Sequence, residues 1–438
     1  MAQGLGQFML NLLFNFTPLK LLTEFLWRDE AFSYFMARQS IKDILLTTAL
    51  DNNPPLYYIL LHYWIKIFGQ SAFALRCLSL IFFTLMIYMI FLFVKHITKK
   101  NDRQIEIFLI LIIFNPFLLY FGFEARMYSL FALLTVSSYY YLIKQNKLRS
   151  ILINVLGLYT HYFFTLVLLS QLIYSMIFDR QRFKNVLKSV ILSFVLALPW
   201  FLFIYNRILS NTKTFWAKPT HIEDLFNSLA ILYTGYEAEY YNYYDRYLML
   251  LSLVLSVVLL FCLRRVKINK ITKMLLVWSF LFYFLFLIIS IFKPVFVPRY
   301  LIFAACGFNI LIIYLLLRMN SKFSLLFIGL ILVLYLHYWR ALILYRPKAH
   351  EVRTINEIKN IAGKQDLLYL TDPILYFTAR YYFDENRIYL YNLNPKKSQS
   401  YYGTVLIPRD KFINMLPEYP VKAFIMTSED KFTIETSL

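Results

Sequence analysis

Acidic residues are scarce in this chain: 25 Asp and Glu stand against 45 Lys and Arg in 438 residues. Glycine is scarcer, at 10, and no glycine-rich loop is present to cradle the phosphates of a nucleotide. The three cysteines, Cys77, Cys262 and Cys306, fall within or beside apolar runs, so they read as small core residues and neither a disulfide framework nor a zinc site. The six histidines are scattered, with no H-E-x-x-H spacing. No internal repeat, no low-complexity tract and no strand-length alternation of a membrane barrel is found.

What is abundant is apolar surface. The chain is 60% hydrophobic and 19% aromatic, with mean hydropathy +0.56. A soluble globule of that composition would show mostly oil to water. Apolar runs near the ~20 residues that span a bilayer occur at 5–26, 72–94, 105–122, 127–143, 151–178, 187–206, 247–263, 274–292, 300–317 and 323–339. The run 151–178 would extend about 42 Å as one helix, too long without strong tilt. Basic segments precede it (Lys144, Lys147, Arg149) and follow it (Arg180, Arg182, Lys184). Both belong on the same face, so the run must double back, and the polar Tyr159–Tyr162 marks the turn. The expectation is an all-α polytopic membrane protein with about eleven transmembrane helices.

The net charge of +20 would suggest nucleic acid in a soluble protein, but no soluble basic domain exists to bind it. Lys and Arg instead crowd the short loops KHITKKNDR, KQNKLR, DRQRFKNVLK, RRVKINKITK and RMNSK. The positive-inside rule makes these cytoplasmic. The N-terminus is then cytoplasmic, and residues 5–26 read as a retained span without a cleavage site. Lys20 and Glu24 lie inside that run as an i,i+4 pair that can neutralise itself or sit near the interface. The long segments, including 27–71, 207–246 and the C-terminal tail, lie on the opposite face of a plasma membrane. Domain boundaries follow as 1–340 for the transmembrane part and 341–438 for a small extracytoplasmic α/β domain. There IKNIAG reads as a helix end, DLLYLTD and RIYLYN as strands, and PILYFTARYYF as a helix.

The first outer loop, 27–71, opens on Asp29 and Glu30. Residues 30–50 are moderately amphipathic and predict one interfacial helix. A second helix follows the polar bend with Asp51, with Asn53 as cap and Pro54–Pro55 at its start. Leu56, Ile59, Leu60, Tyr63 and Ile67 form its apolar stripe, and His62 and Lys66 lie i,i+4 on another face.

The order span, Asp29–Glu30, surface helix, D-x-x-PPLYY, H-x-W, FG-x-S-x-FALR, span resembles the GT-C glycosyltransferases. The match is to the bacterial group related to protein O-mannosyltransferases and to the lipid A aminoarabinose transferase. FEARMYSL, YTHYF and VPRYLIF are similar to further segments of that group. The ordered set covers roughly half of the membrane portion, though Asn53 stands where the family carries a basic or other charged residue. The resemblance implies a donor sugar on polyprenyl phosphate and a lipid, glycan or protein acceptor. It implies Asp29, the first acid of the pair, as catalytic.

Transfer needs a base for the acceptor proton and a cation or donor for the leaving phosphate. Asp29 fits the base, and a helix-capping role stands beside it. Glu30 either orients Asp29, contacts acceptor or stabilises a helix dipole. Glu124 and Arg126 read as substrate contacts or as an ion pair bracing a turn. Arg299 starts an outer helix end where a cation is mildly costly, so it reads as a phosphate ligand or as a snorkelling side chain. His161 can donate to phosphate or sugar, or can satisfy a tight turn. His62, Lys66 and Tyr57 complete the candidate substrate-binding residues. The tyrosine-rich 233–247 is a sugar platform or an aromatic belt. No cofactor is required, although Asp29, Glu30 and Glu124 admit a divalent cation. Two other readings are a transporter or flippase of lipid-linked sugars, expected to show broken helices and mid-membrane charge, and a scaffold, which leaves the polar clusters unexplained.

Overall fold

The computed structural model describes residues 17–51, 53–205, 222–237, 247–345, 350–395, 403–428 and 430–437. Most of the first predicted span, 5–26, therefore lies outside the described residues; its described part holds the single helical turn Lys20–Thr23. The chain divides into two compact units: Met1–Leu21 with Arg76–Arg346, and Leu22–Leu75 with Pro347–Leu438. Residues 27–71 thus share a unit with the C-terminal segment.

The larger unit is a helical membrane bundle. Among the described residues, six helices are long and apolar enough to cross a membrane: Ala72–Thr98, Arg180–Phe203, Tyr247–Arg265, Lys270–Phe292, Pro298–Leu316 and Ser321–Leu344. Exposed apolar side chains such as Leu192, Leu196, Leu253, Leu260, Leu326 and Val333 give these helices lipid-facing sides. Pro298–Leu316 differs, being buried all round as the central helix. Asparagine opens three of the helices that leave basic loops. The Oδ1 atoms of Asn101, Asn146 and Asn269 accept from Gln104, Arg149 and Thr272 backbone N–H groups at 2.9, 3.1 and 2.9 Å, which satisfies donors at the helix start.

The predicted run 105–122 is not one straight helix. Asp102–Ile113 and Pro116–Gly122 meet at a 75° bend, and counting them as one broken span gives seven. Pro116 disfavours helical backbone at the preceding residue. Asn115 takes up the freed groups: its Oδ1 accepts from Leu118 N–H at 3.0 Å, and its Nδ2 donates to Tyr233 carbonyl and Asn309 Oδ1 at 3.0 and 3.1 Å.

The run 151–178 forms two helices, Lys147–Leu158 and Phe164–Phe178. The Ser138 hydroxyl donates to Asn154 Oδ1 at 2.6 Å and accepts from Gln171 Nε2 at 2.8 Å. A straight helix would separate those two partners by roughly 26 Å, so the chain doubles back at Tyr159–Phe163. At about 18–24 Å, these two helices and Tyr128–Ile143 are shorter than a ~30 Å hydrocarbon core.

In the smaller unit, residues 30–50 form two helices where the pattern suggested one. Arg28–Arg38 ends at Gln39, and Ser40 restarts Ile41–Leu50 by accepting from Asp43 N–H at 3.2 Å. Asn53 does not cap the third helix, Leu56–Phe68, whose N-cap is Pro55; Asn53 Nδ2 instead donates to Asp51 Oδ2 at 3.2 Å. The stripe on that helix faces outward at Tyr63 and Ile67, while Tyr57, Tyr58, Leu61 and His62 are buried. An outward apolar face suits a helix lying in a membrane interface.

Helix Arg28–Arg38 packs on helix Tyr376–Tyr382 through the edge-on Phe32–Phe377 pair, 5.3 Å between ring centres. Leu26 N–H donates to Tyr382 Oη at 2.7 Å. Behind lies a five-stranded sheet, β1 Leu367–Leu370, β2 Ile388–Tyr391, β3 Phe412–Ile413, β4 Ala423–Ser428 and β5 Lys431–Glu435, in the order β3-β2-β1-β4-β5. The β1–β2, β1–β4 and β2–β3 pairs are parallel, with Leu368 opposite Ile388 and Phe424, and β5 is an antiparallel edge. The predicted strands DLLYLTD and RIYLYN are β1 and β2.

The doubling-back of Lys147–Phe178 depends on close approach at Gly157, where an added Cβ would lie 2.3 Å from the Phe164 ring. Gly157→Ala should lower the thermal stability of detergent-purified protein by about 1–3 kcal/mol. Gly329→Ala, with open space around its added methyl, should be neutral or stabilise by up to about 1 kcal/mol. Equal thermal midpoints for the two variants would contradict this packing.

Candidate functional site

The FEAR segment is an irregular turn between helices Pro116–Gly122 and Tyr128–Ile143. Turns normally run over a surface where water satisfies their backbone. This one is buried: Glu124, Ala125 and Arg126 are all within the protein. Internal bonds replace water. Arg126 N–H donates to Glu124 carbonyl at 2.7 Å, Ser129 Oγ donates to Phe121 carbonyl at 2.8 Å, and Ser79 Oγ donates to Arg126 carbonyl at 3.3 Å. Burying a charged turn is costly, which separates it from a turn that merely connects two helices.

Arg299 sits in the helical turn Pro298–Leu301 that starts the central helix. Its Nη1 donates to Glu237 Oε2 at 2.8 Å, with both side chains 6% exposed, and its backbone N–H donates to Glu237 Oε1 at 3.3 Å. Sequence reasoning asked for an anion beside Arg299 and found it in a phosphate; the protein supplies one in Glu237.

Aromatic rings join the two arginines. Arg126 lies over the Tyr128 ring at 5.7 Å, and Arg299 over Tyr300 at 5.7 Å. His161 stands between those tyrosines, 6.1 Å from Tyr128 and 5.6 Å from Tyr300, and stacks on Phe131 at 4.7 Å. The larger unit thus brings Glu124, Arg126, His161 and Arg299 to one end of its bundle, where Arg126, Arg299, Tyr300 and Glu124 all act electrostatically on Tyr128.

Phe163 N–H donates to His161 Nδ1 at 3.1 Å, so the proton of the neutral ring resides on Nε2. Burial, reinforced by the Arg126 cation, pushes the His161 pKa down from 6.5 to about 3. The ring is therefore a neutral donor through Nε2, not a cation, at physiological pH.

The smaller unit holds the remaining candidates. Asp29 and Glu30 lie in the first turn of Arg28–Arg38, where acids favour the helix dipole. Asp29 Oδ1 accepts from Arg28 Nε at 2.8 Å and keeps some solvent access; Glu30 is wholly buried. His62 Nδ1 lies 2.8 Å from Ala37 carbonyl and ties helix Leu56–Phe68 to the end of Arg28–Arg38. Tyr57 is buried against Tyr58, 6.0 Å between rings. Lys66 is exposed and lies 5.8 Å from the Tyr63 ring. Most of the tyrosine-rich 233–247 lies outside the described residues; Tyr233 is a core residue whose hydroxyl pairs with Tyr335. Among the described residues, no group of three or more His, Cys, Asp or Glu side chains could hold a metal ion.

Sequence reasoning missed two charged residues. Glu237 was hidden among tyrosines. Arg76 is wholly buried in Ala72–Thr98, three residues before Ser79 and so on the same helix face. Its signal was available: an arginine inside an apolar span marks a functional candidate.

The described chain is thus a multi-pass helical bundle with a small sheet-bearing segment. Residues 52–205 match the family model for dolichyl-phosphate-mannose-protein mannosyltransferase. FEAR and YTHY lie inside that stretch, while Asp29 and Arg299 lie outside it. The fold is similar to crystal structures of ArnT from Cupriavidus metallidurans. The apo form is 12% identical at TM-score 0.63, covering 97% of this chain and 93% of that one. The form bound to undecaprenyl phosphate is 11% identical at TM-score 0.63, covering 98% and 94%. No curated protein matches the sequence. The two findings bear out the GT-C resemblance and support a membrane glycosyltransferase.

The depressed His161 pKa has a direct consequence. Between about pH 6.5 and 3 the unfolded chain binds a proton at His161 that the folded chain does not. Stability should fall as pH drops through that window, by up to about 1.4 kcal/mol per unit. His161→Gln should flatten the acid limb of the thermal midpoint against pH; an unchanged slope would refute the assignment.

Proposed function

We propose that this protein transfers a sugar from a polyprenyl-phosphate carrier to an acceptor on the non-cytosolic face of the plasma membrane. The observation that carries the reading is a pair of buried arginines, Arg126 and Arg299, at one aromatic-lined end of a membrane bundle. A phosphate held by a lipid must be met by cations at such a place, because burial strips its charge of hydration. The fold of a protein solved with undecaprenyl phosphate and the match to a family described by a dolichyl-phosphate sugar support the same donor class.

The chemistry is a single displacement with inversion. An acceptor hydroxyl or amine forms a bond to the anomeric carbon as the carbon–oxygen bond to phosphate breaks. The acceptor proton passes to the Asp29 carboxylate, which retains some solvent access and is held by Arg28. Arg126 and Arg299 stabilise the departing phosphate, and His161 donates through Nε2. Glu30 orients Asp29 or contacts acceptor; Tyr57 and His62 shape the first loop, with Lys66 at its edge. The acceptor is a lipid, glycan or protein. The positive-inside bias of the basic loops supports a cytoplasmic N-terminus and an extracytoplasmic C-terminal segment.

The broken pair Asp102–Ile113 and Pro116–Gly122 is the feature that favours a carrier instead. At the break itself Asn115 is buried and donates to the buried Asn309 of the central helix, an arrangement suited to holding a bend rather than coordinating cargo.

Purified protein in vesicles with labelled polyprenyl-phosphate sugars separates these readings. Asp29→Asn should lower transfer by about 10²–10⁴-fold while folding and insertion persist; retained transfer removes Asp29 from the mechanism. Arg299→Lys keeps a cation for Glu237 but loses the planar fork. It should raise the donor KM more than the acceptor KM, and equal effects would argue against phosphate contact. Movement of labelled lipid across the vesicle without transfer would establish the carrier.

A further inference from the structure

The larger unit holds a second polar site, far from the arginine cluster. A cavity of about 200 Å³ opens among the C-terminal end of helix Tyr128–Ile143, the start of Lys147–Leu158 and helix Arg180–Phe203. Arg126 stands at one end of Tyr128–Ile143 and this cavity at the other, roughly 24 Å away along the axis. The two sites are therefore separate, at opposite ends of the bundle.

The lining is rich in donors. Lys147 and Arg182 supply cations, Asn185 and Ser189 neutral polar groups, and Asn154 and Gln171 the inner wall; no carboxylate lines it among the described residues. Asn154 is 1% exposed. Its Oδ1 accepts from Ser138, which fixes the amide, yet its buried Nδ2 has no hydrogen-bond partner. An amide donor left unpaired in a bundle interior is costly, and a bound acceptor would remove that cost. Asp179, 3.4 Å from Arg182 Nε, is also held by Lys270 Nζ at 2.8 Å. One acid shared by two cations leaves the neighbourhood positive.

We infer that this cavity binds a phosphate group, held by Lys147 and Arg182 and by the Nδ2 donor of Asn154. Carboxylate-free, arginine-bearing pockets at the basic end of a membrane bundle suit phosphate. The same chemistry is offered by an anionic lipid headgroup and by phosphate from water. The proposal does not rest on the transferase reading, and its test uses no transfer assay.

The experiment uses the full-length purified protein. Its thermal midpoint is titrated with inorganic phosphate against chloride at equal ionic strength. It is also measured in phosphatidylglycerol and phosphatidylcholine nanodiscs, with retained lipid counted by native mass spectrometry. Stabilisation and retention by phosphatidylglycerol alone assign the site to a headgroup. Stabilisation by inorganic phosphate, with or without the lipid, assigns it to phosphate in general. In either case Lys147→Gln with Arg182→Gln should weaken the apparent affinity by about tenfold or more. Asn154→Asp keeps an acceptor for Ser138 and places negative charge against the ligand, so it should also abolish the effect. If that buried variant fails to fold, the surface pair decides. No stabilisation of the wild type, or equal affinity in the wild type and the double variant, overturns the proposal.

Discussion

A polar group inside a membrane bundle must find its partner within the protein, because hydrocarbon offers none. That requirement organises the larger unit. Asn115 binds Leu118, Tyr233 and Asn309, and so holds a bend that would otherwise expose backbone. Ser138 joins Asn154 to Gln171 and fixes the doubling-back of Lys147–Phe178. Arg299 and Glu237 are buried together, since either alone would be an uncompensated charge. The apolar stretches supply the bulk of the bundle, and these few polar bonds determine which stretches become neighbours.

The same requirement shapes the candidate site. Bending at Asn115 ends one helix early and leads into the buried FEAR turn. The central helix starts with Arg299, and the hairpin tip carries His161 to the rings of Tyr128 and Tyr300. Burial and the Arg126 cation keep the imidazole neutral, whereas guanidinium cannot be deprotonated. The chemistry is thereby divided: arginines carry positive charge and the histidine offers a neutral N–H. A lysine in place of either arginine would be easier to neutralise by burial.

The smaller unit follows a different logic. Its sheet is covered by ordinary aromatic packing, and Phe32 against Phe377 ties the first-loop helices to the C-terminal segment. Asp29 and Glu30 are thus set on a helix anchored to a sheet-bearing unit, not on a free loop. Supporting a candidate base on a packed helix limits its motion, as positioning chemistry demands.

Hydropathy and charge alone determined much of this protein: the membrane bundle, the doubling-back within 151–178, the small C-terminal segment with β1 and β2, and the motif set that resembles GT-C enzymes. The helical spans, the doubling-back and the two strands are legible because span length, turn residues and hydrophobic pattern are local properties of the chain; on which face the C-terminal segment lies is a separate matter of loop charge. Only the tertiary structure decided that Arg299 meets Glu237, 62 residues away, that helix Leu56–Phe68 buries Tyr57 and His62 while its apolar stripe faces out, and that the strands of 423–435 complete the sheet. It also decided that 30–50 breaks at Gln39–Ser40 and that Asn53 turns to Asp51. Such pairings depend on which distant surfaces touch, and the energy of a buried hydrogen bond or ion pair belongs to two residues whose meeting no linear pattern encodes.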